Sequence, residues 1–172
     1  NLPYLADDPE RGDIVIFGHG DTWEDERKPP DPDPLKAAVK IFGDVTGIGV
    51  SNRTYTVKRI LGTPGDTVGC CDEVGRLVVN GESVAEPYVH RDLPFTSGGL
   101  DCASTPVSAR CFGDIVVPED HYLVMGDHRS NSADSVAACR GLMDASGCAR
   151  FVPADRITGK VIVKAWPPGP VG

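Results

Sequence analysis

Residues 54–66 read TYTVKRILGTPGD, and this stretch decides the fold that we predict. Its first half is rich in β-branched and aromatic residues, which are typical of a β-strand. Pro64-Gly65 then suits the two central positions of a type II turn. The adjacent cations Lys58 and Arg59 must point to opposite faces of the strand. Lys58 is either a solvated strand lysine, which is the commoner case, or a desolvated amine that can act as a general base.

The composition favours a single β-rich domain. The length of 172 residues allows one sizeable core, and 15 prolines with 20 glycines indicate many turns and short strands. The net charge of −8 argues against a nucleic-acid partner, which would require a basic surface. Because no run of 18 apolar residues occurs, we predict no transmembrane helix within these residues.

Hydrophobic patterns predict the remaining elements. Asn80-Gly81 is a hairpin signal, and the segment LKAAVKIF at 35–42 predicts a small helix. That helix either packs on the sheet or lies at a membrane interface. We expect Ile162 and Val163 in the core of the last strand, an irregular insertion at about 83–113 and a loop at 135–153. Strands are predicted at 13–17, 76–80, 114–117, 121–125 and 156–166.

Six cysteines, without any C-x-x-C spacing, indicate disulfides in an oxidising compartment rather than a zinc site. Cys139 and Cys148 flank a short loop, so we predict that they are bridged. Cys70 and Cys71 are adjacent, and we expect each to bond elsewhere because vicinal disulfides are strained. The available partners are Cys102 and Cys111. The four histidines lack metal-like spacing as well, and we predict neither a metal nor a cofactor.

Three motifs occur in order along the chain: RGDIVIF at 11–17, KRILGTPGD at 58–66 and MGDHRSNSADS at 125–135. Together they resemble the diagnostic boxes of the bacterial type I signal peptidases, and the resemblance covers about residues 10–166. It implies a mostly β fold of antiparallel sheets with a small helix, the fold shared with self-cleaving repressors. It also implies one catalytic domain over residues 1–172.

The resemblance implies a serine endopeptidase that cleaves signal peptides from exported preproteins. Such an enzyme acts at the cell membrane, with its catalytic domain on the extracytoplasmic side. A serine attacks the substrate, and a neutral lysine takes the serine's proton. Lys58 matches the position of this general base, and Ser132 matches the serine that orients the amine. The substrate is expected to lie as an extended strand near Thr56 and Val57.

The resemblance gives structural roles to three charged residues. Arg59 and Asp127 match positions that form ion pairs. Asp134 normally pairs with an arginine two positions later, where this chain has Val136. We therefore expect Asp134 to lack its cation, with Arg140 as a candidate replacement, and we expect Val136→Arg to stabilise the loop. His128, where the family has asparagine, is a minor exchange.

The family's nucleophile lies in a Ser-Met-x-Pro motif that follows a membrane anchor. No Ser-Met pair occurs here, because Met125 follows Val124 and Met143 follows Leu142. We expect the nucleophile and the anchor to lie upstream of these 172 residues, and this chain alone to be inactive. Two alternatives stay open: a secreted, catalytically silent β-domain that binds peptides, and a serine-lysine self-cleaving repressor. The cysteine content and the three motifs argue against the repressor.

Overall fold

A computed structural model of the protein describes residues 8–18, 23, 55–164 and 169–170. The helix predicted at 35–42 lies outside these residues. Within the described ranges, the regular structure is almost entirely β, and every pairing between strands is antiparallel. The mostly β, antiparallel fold class is therefore confirmed. No helix in the described part of the chain has the length and apolar character that crossing a bilayer requires.

The described strands form two main sheets and a small ribbon. The larger sheet has the order β8-β7-β2-β1-β9, the second sheet has the order β5-β4-β3-β6, and β10 pairs with β11. The bounds are β1 Ile14–Gly18, β2 Tyr55–Gly62, β3 Thr67–Cys70, β4 Leu77–Val79, β5 Glu82–Ser83, β6 Phe112–Val116, β7 His121–Met125, β8 Val152–Pro153, β9 Ile157–Lys160, β10 Val163–Lys164 and β11 Gly169–Pro170.

Strand β2 is the central strand of the larger sheet, and it contributes to two hydrophobic cores. Its side chains alternate between the two faces, so Ile60 and Leu61 point in opposite directions. Ile60 packs in one core with Phe17 and Val124, whereas Leu61 packs in the other with Phe112. Burial of both residues fixes the register of β2, because a one-residue slip would exchange the two faces.

The two predicted turns are confirmed. Gly65 adopts φ +83° and the Asp66 N–H donates to the Thr63 carbonyl, so the central strand ends in the expected tight turn. Asn80 and Gly81 adopt φ values of 53° and 83°, and they join β4 to β5. Positive φ at both central residues is the conformation that an Asn-Gly hairpin supplies.

Other local predictions needed correction. Strand β3 was not predicted, and β8 lies within the segment predicted as a loop. The last predicted strand is interrupted between β9 and β10, and Ile162 is exposed rather than part of a core. Short strands carry few alternating positions, so their pattern is weak, and β3 and β8 are defined instead by their pairing partners.

The Cys139–Cys148 disulfide is confirmed, with a Cα–Cα distance of 5.2 Å. The prediction for the other four cysteines was wrong, because Cys70 bonds Cys71 and Cys102 bonds Cys111. The four nevertheless lie together, since β3 carries Cys70 beside the start of β6. The sulfur atoms of Cys71, Cys102 and Cys111 are within 4.8 Å of one another. The four cysteines therefore lie close together, as expected, but the disulfides join them in different pairs from those predicted.

Candidate active site

Lys58 and Ser132 meet where β2 passes the loop that follows β7. Lys58 is partly buried on β2, and its Nζ donates a hydrogen bond to Ser132 Oγ at 2.8 Å. Ser132 directly follows a short 3-10 helix, Arg129–Asn131, which turns the loop back towards β2. Seventy-four positions separate the two residues, so only the folded chain brings them together.

Burial lowers the pKa of Lys58 below its ordinary value of 10.5. Two nearby charges act in opposite directions: the Asp134 carboxylate raises this pKa, and the Arg140 guanidinium lowers it. Among the described residues, no carboxylate lies within salt-bridge distance of the Lys58 amine. The site therefore favours the neutral amine, which can accept a proton.

Gly126 makes the close approach of Lys58 and Ser132 possible. A Cβ at this position would lie 2.7 Å from Ser132 Cβ and 3.5 Å from Lys58 Nζ, and it would collide with the Ser132 hydroxyl. Only glycine leaves this space without moving the serine. The glycine of the Met125-Gly126-Asp127 motif was visible in the sequence, but its role as space for the hydroxyl was not.

Arg59, one residue after Lys58, has a different environment. Its Nε and Nη2 donate to the two carboxylate oxygens of Asp127 at 3.0 and 2.9 Å. Its Nη1 donates to the Gly12 carbonyl at 2.8 Å, and its guanidinium lies 4.0 Å from the centre of the Tyr88 ring. Arg59 is only 5% exposed, so these bonds satisfy a buried cation.

The three sequence motifs contact one another through such bonds. Arg11 from the first motif forms a 2.9 Å ion pair with Asp66 from the second. Asp66 also accepts hydrogen bonds from Thr63 and from the Asn80 side chain. Burial alone would raise the pKa of Asp66, but these bonds together lower it to about 2. The Arg11–Asp66 pair ties the first motif to the turn after β2, and the Arg59–Asp127 pair ties the third motif to β2 itself.

The expectation that Asp134 lacks a cation was wrong. Asp134 is fully buried, and Arg140 Nη2 lies 3.0 Å from its Oδ2. Val136 is also fully buried, in the core that contains Met125. The expected gain from Val136→Arg was therefore wrong as well, since the new charge would enter an apolar core.

A further ion-pair network was missed from the sequence. Arg129 is buried, donates to the Gly126 carbonyl at 3.2 Å and pairs with Glu86. Arg110 also approaches Glu86, at 3.8 Å, and pairs with Asp92. Glu86, Asp92 and Arg110 belong to the segment predicted as an irregular insertion. No local pattern marks them, because their partners are distant in sequence.

Thr56 and Val57 precede Lys58 on β2, where they pair with Phe17 and Ile16 of β1. The Val57 side chain is exposed to solvent, and Thr56 is half-buried. Strand β7 pairs with β2 over Arg59–Gly62, so β7 does not pair with Thr56 or Val57. The two residues predicted to contact a substrate therefore lie on β2 immediately before Lys58.

Comparison with known proteins agrees with the motifs. Residues 1–166 match the family described as signal peptidase, peptidase S26. Signal peptidase I-2 (probable) of Synechocystis is 33% identical over 99% of this chain, and signal peptidase I of Mycobacterium tuberculosis is 31% identical over 97%. The probable signal peptidase I of Mycobacterium leprae is 29% identical over 97%.

The chain spans 55–59% of the length of these relatives. Among solved structures, a signal peptidase I from Enterococcus faecalis is 23% identical, with a TM-score of 0.44. That alignment covers 90% of this chain and 97% of the other. Since the family match extends over nearly the whole sequence, this chain belongs to the signal peptidase family, peptidase S26.

Proposed function

We propose that this chain carries the general base of a membrane-associated serine endopeptidase that cleaves signal peptides from exported preproteins. The observation that carries the proposal is the 2.8 Å hydrogen bond from Lys58 Nζ to Ser132 Oγ, at an amine whose pKa is lowered by burial. Membership of the signal peptidase family supports the substrate class. The catalytic domain is expected on the extracytoplasmic side of the cell membrane, and the three disulfides suit that compartment.

The proposed chemistry assigns one proton-transfer role to Lys58. The neutral amine takes the hydroxyl proton of the nucleophilic serine as that oxygen attacks the scissile carbonyl. The resulting ammonium then gives its proton to the departing amine of the substrate. The nucleophile is expected from a part of the protein outside these 172 residues, because no Ser-Met pair occurs within them.

Ser132 has a different proposed role. By accepting one N–H of Lys58, its hydroxyl holds the amine so that the nitrogen lone pair points to the reacting serine. Gly126 leaves the space for this contact. Ser132 is therefore proposed to orient the base rather than to attack the substrate.

The substrate is proposed to lie as an extended strand along Thr56 and Val57. Backbone pairing would bind it, and small side chains would fill shallow pockets. The exposure of Val57, one residue before Lys58, supports this placement. The site would then meet the substrate at the membrane surface, where preprotein signal peptides are held.

The experiment compares variants of the whole protein in cleavage of a preprotein peptide. Lys58→Arg keeps the positive charge but cannot provide a neutral amine, so kcat/KM should fall by about 10²–10⁴-fold. Arg76→Lys is the matched control, because it exchanges the same two residue types at an exposed ion pair with Asp72. Near-normal turnover by Lys58→Arg would overturn the proposal. Binding of the peptide without turnover in the unaltered whole protein would instead favour the silent peptide-binding alternative.

The 172-residue chain provides a second, independent test. With no upstream nucleophile, it should cleave no preprotein peptide above the background rate. Cleavage that disappears in Ser132→Ala would mean that Ser132 is itself the nucleophile, and the assigned roles would be wrong.

A further inference from the structure

Arg140 lies in the loop closed by the Cys139–Cys148 disulfide and reaches into the Lys58 site from outside the third motif. Its Nη1 donates to the Arg129 carbonyl at 2.7 Å, and its Nη2 donates to Asp134 Oδ2 at 3.0 Å. The guanidinium side chain is only 13% exposed. It is thus held at both ends of its fork, by the backbone of the 3-10 helix and by a buried carboxylate.

Asp134 needs this cation more than an ordinary acidic residue does. It is fully buried, and its Oδ1 has no hydrogen-bond partner within the described part of the chain. From the described residues, its Oδ2 accepts the Arg140 bond and a long 3.4 Å bond from the Gly126 N–H. A buried carboxylate with so few donors keeps most of its electrostatic influence on neighbouring groups.

Gly126 places this pair close to Lys58: its N–H bonds Asp134 Oδ2, and a Cβ on the same residue would lie 3.5 Å from Lys58 Nζ. The negative charge of Asp134 favours the protonated form of Lys58, and the positive charge of Arg140 opposes it. Among the described residues, the partners of Lys58 on the neighbouring elements are uncharged: the loop contributes Ser132, and Val15 is opposite on β1. Arg59 points to the other face of β2, where Asp127 neutralises it.

We propose that Arg140 is a positioning residue for the base: by neutralising Asp134, it prevents that carboxylate from holding Lys58 in its protonated form. The inference rests on the proposed role of Lys58 as the base. It goes beyond an ion pair that stabilises the loop, because it makes the protonation of Lys58 depend on a residue that does not touch it. Val136 is an apolar core residue and supplies no charge. Arg140 is therefore the cation that pairs with Asp134.

The test measures the protonation of Lys58 directly in the 172-residue chain. Trace acylation with acetic anhydride at a series of pH values, quantified at Lys58 by mass spectrometry, reports its pKa without any need for activity. Arg140→Met should shift the reactivity curve of Lys58 to higher pH. At a fixed pH below the pKa, the acylation rate should fall roughly tenfold for each unit of that shift.

Three further variants separate charge from structure. Asp134→Asn should shift the curve in the opposite direction, to lower pH. In that background, Arg140→Met should have a smaller effect than in the unaltered chain. Arg140→Lys keeps the charge and should restore most of the original curve. Melting temperatures measured alongside show which variants are folded, and Asp134→Asn tests the inference if Arg140→Met does not fold.

An unchanged Lys58 curve in Arg140→Met, with a lowered melting temperature, would overturn the inference and leave Arg140 a purely structural role. The same holds if Asp134→Asn leaves the curve in place. A failure of the proposed function would give another result. The acylation curves would shift as expected, but the whole protein carrying Lys58→Arg would stay active.

Discussion

The two faces of strand β2 place adjacent cations in opposite environments. Arg59 is buried against Asp127, a backbone carbonyl and an aromatic ring, so its charge is fully compensated. Lys58 is partly buried, and within the part of the chain that the structure describes it bonds the neutral Ser132 hydroxyl and contacts no carboxylate. The first environment holds a permanent charge, and the second favours loss of a proton. Alternation along one strand thus separates a structural cation from the lysine that we propose as the general base.

The difference also explains why the two residues cannot exchange roles. Arginine suits the Asp127 site because its planar fork matches both carboxylate oxygens. Lysine suits the Ser132 site because an ammonium releases its proton when it is desolvated, whereas guanidinium does not. The order Lys-Arg along β2 is therefore determined by the partners on each face.

Among the changes to β2, loss of Arg59 should lower the stability of the protein the most. Arg59→Met leaves the Asp127 carboxylate and the Gly12 carbonyl without their donor. Because Asp127 is 37% exposed, water replaces part of the loss, and we expect a decrease of about 2–4 kcal/mol in the free energy of unfolding.

Urea denaturation measures this loss, and Arg76→Met is the matched control. Arg76 pairs with Asp72 but is 56% exposed, so its loss should cost less than about 1 kcal/mol. Equal losses in the two variants would remove the distinction between a buried structural cation and a surface one.

The Lys58 face should be disrupted by a single added methyl group. Gly126→Ala forces Ser132 away from Lys58, and overpacking of this kind costs about 1–3 kcal/mol. In the whole protein, kcat should fall while KM changes little, because the substrate strand is not touched. Gly159→Ala is the control, since Gly159 has no positive φ and a Cβ there would have no contact within 4 Å. An unchanged kcat in Gly126→Ala would argue against orientation of Lys58 by Ser132.

Ser132→Ala should have a smaller effect than loss of the base. Removing one orienting hydrogen bond to the amine costs about 0.5–1.5 kcal/mol, which corresponds to a loss of roughly 2- to 13-fold in kcat/KM. Ser132→Ala should therefore be slow but active, whereas Lys58→Arg should lose about 10²–10⁴-fold in kcat/KM. Steady-state kinetics on the whole protein compare the two, and equal loss in both would contradict the separate roles.

The smallest effect is a pH dependence of stability. The folded-state pKa of Lys58 lies below 10.5, so between the two values the unfolded chain binds more protons than the folded chain. The free energy of unfolding, measured relative to Lys58→Met, should therefore rise as pH increases through that interval. At pH values below the interval, the cost of burying the charged amine should apply in full. Urea midpoints of both proteins across alkaline pH measure this. Parallel curves would indicate an unshifted pKa.

The sequence predicted the central elements where local signals were strong. Alternating residues and Pro64-Gly65 were sufficient for β2 and its turn, and Asn80-Gly81 predicted the hairpin. Lys58 and Ser132 were singled out by their motifs, not by any local property, because strand lysines and turn serines are ordinary residues. Their 2.8 Å contact is a result of the fold alone.

What could not be predicted depends on long-range contacts. Arg140 was named only as a candidate cation for Asp134, and it reaches that carboxylate because the chain between them turns back. Glu86 meets Arg129 across 43 positions. Neither pair leaves a periodic or spaced pattern. The Cys70–Cys71 pairing was missed for another reason: adjacency argued against it, and the sequence could not show that Cys102 and Cys111 close their own loop.

The most direct test of the contrast between the two faces is the NMR titration of the Lys58 amine in the 172-residue chain, assigned by comparison with Lys58→Met. Burial without a carboxylate partner predicts a pKa below the ordinary 10.5, moving further down in Asp134→Asn. A Lys58 pKa at or above 10.5 would mean that the amine stays protonated, and the proposed division between a structural and a chemical cation on β2 would be wrong.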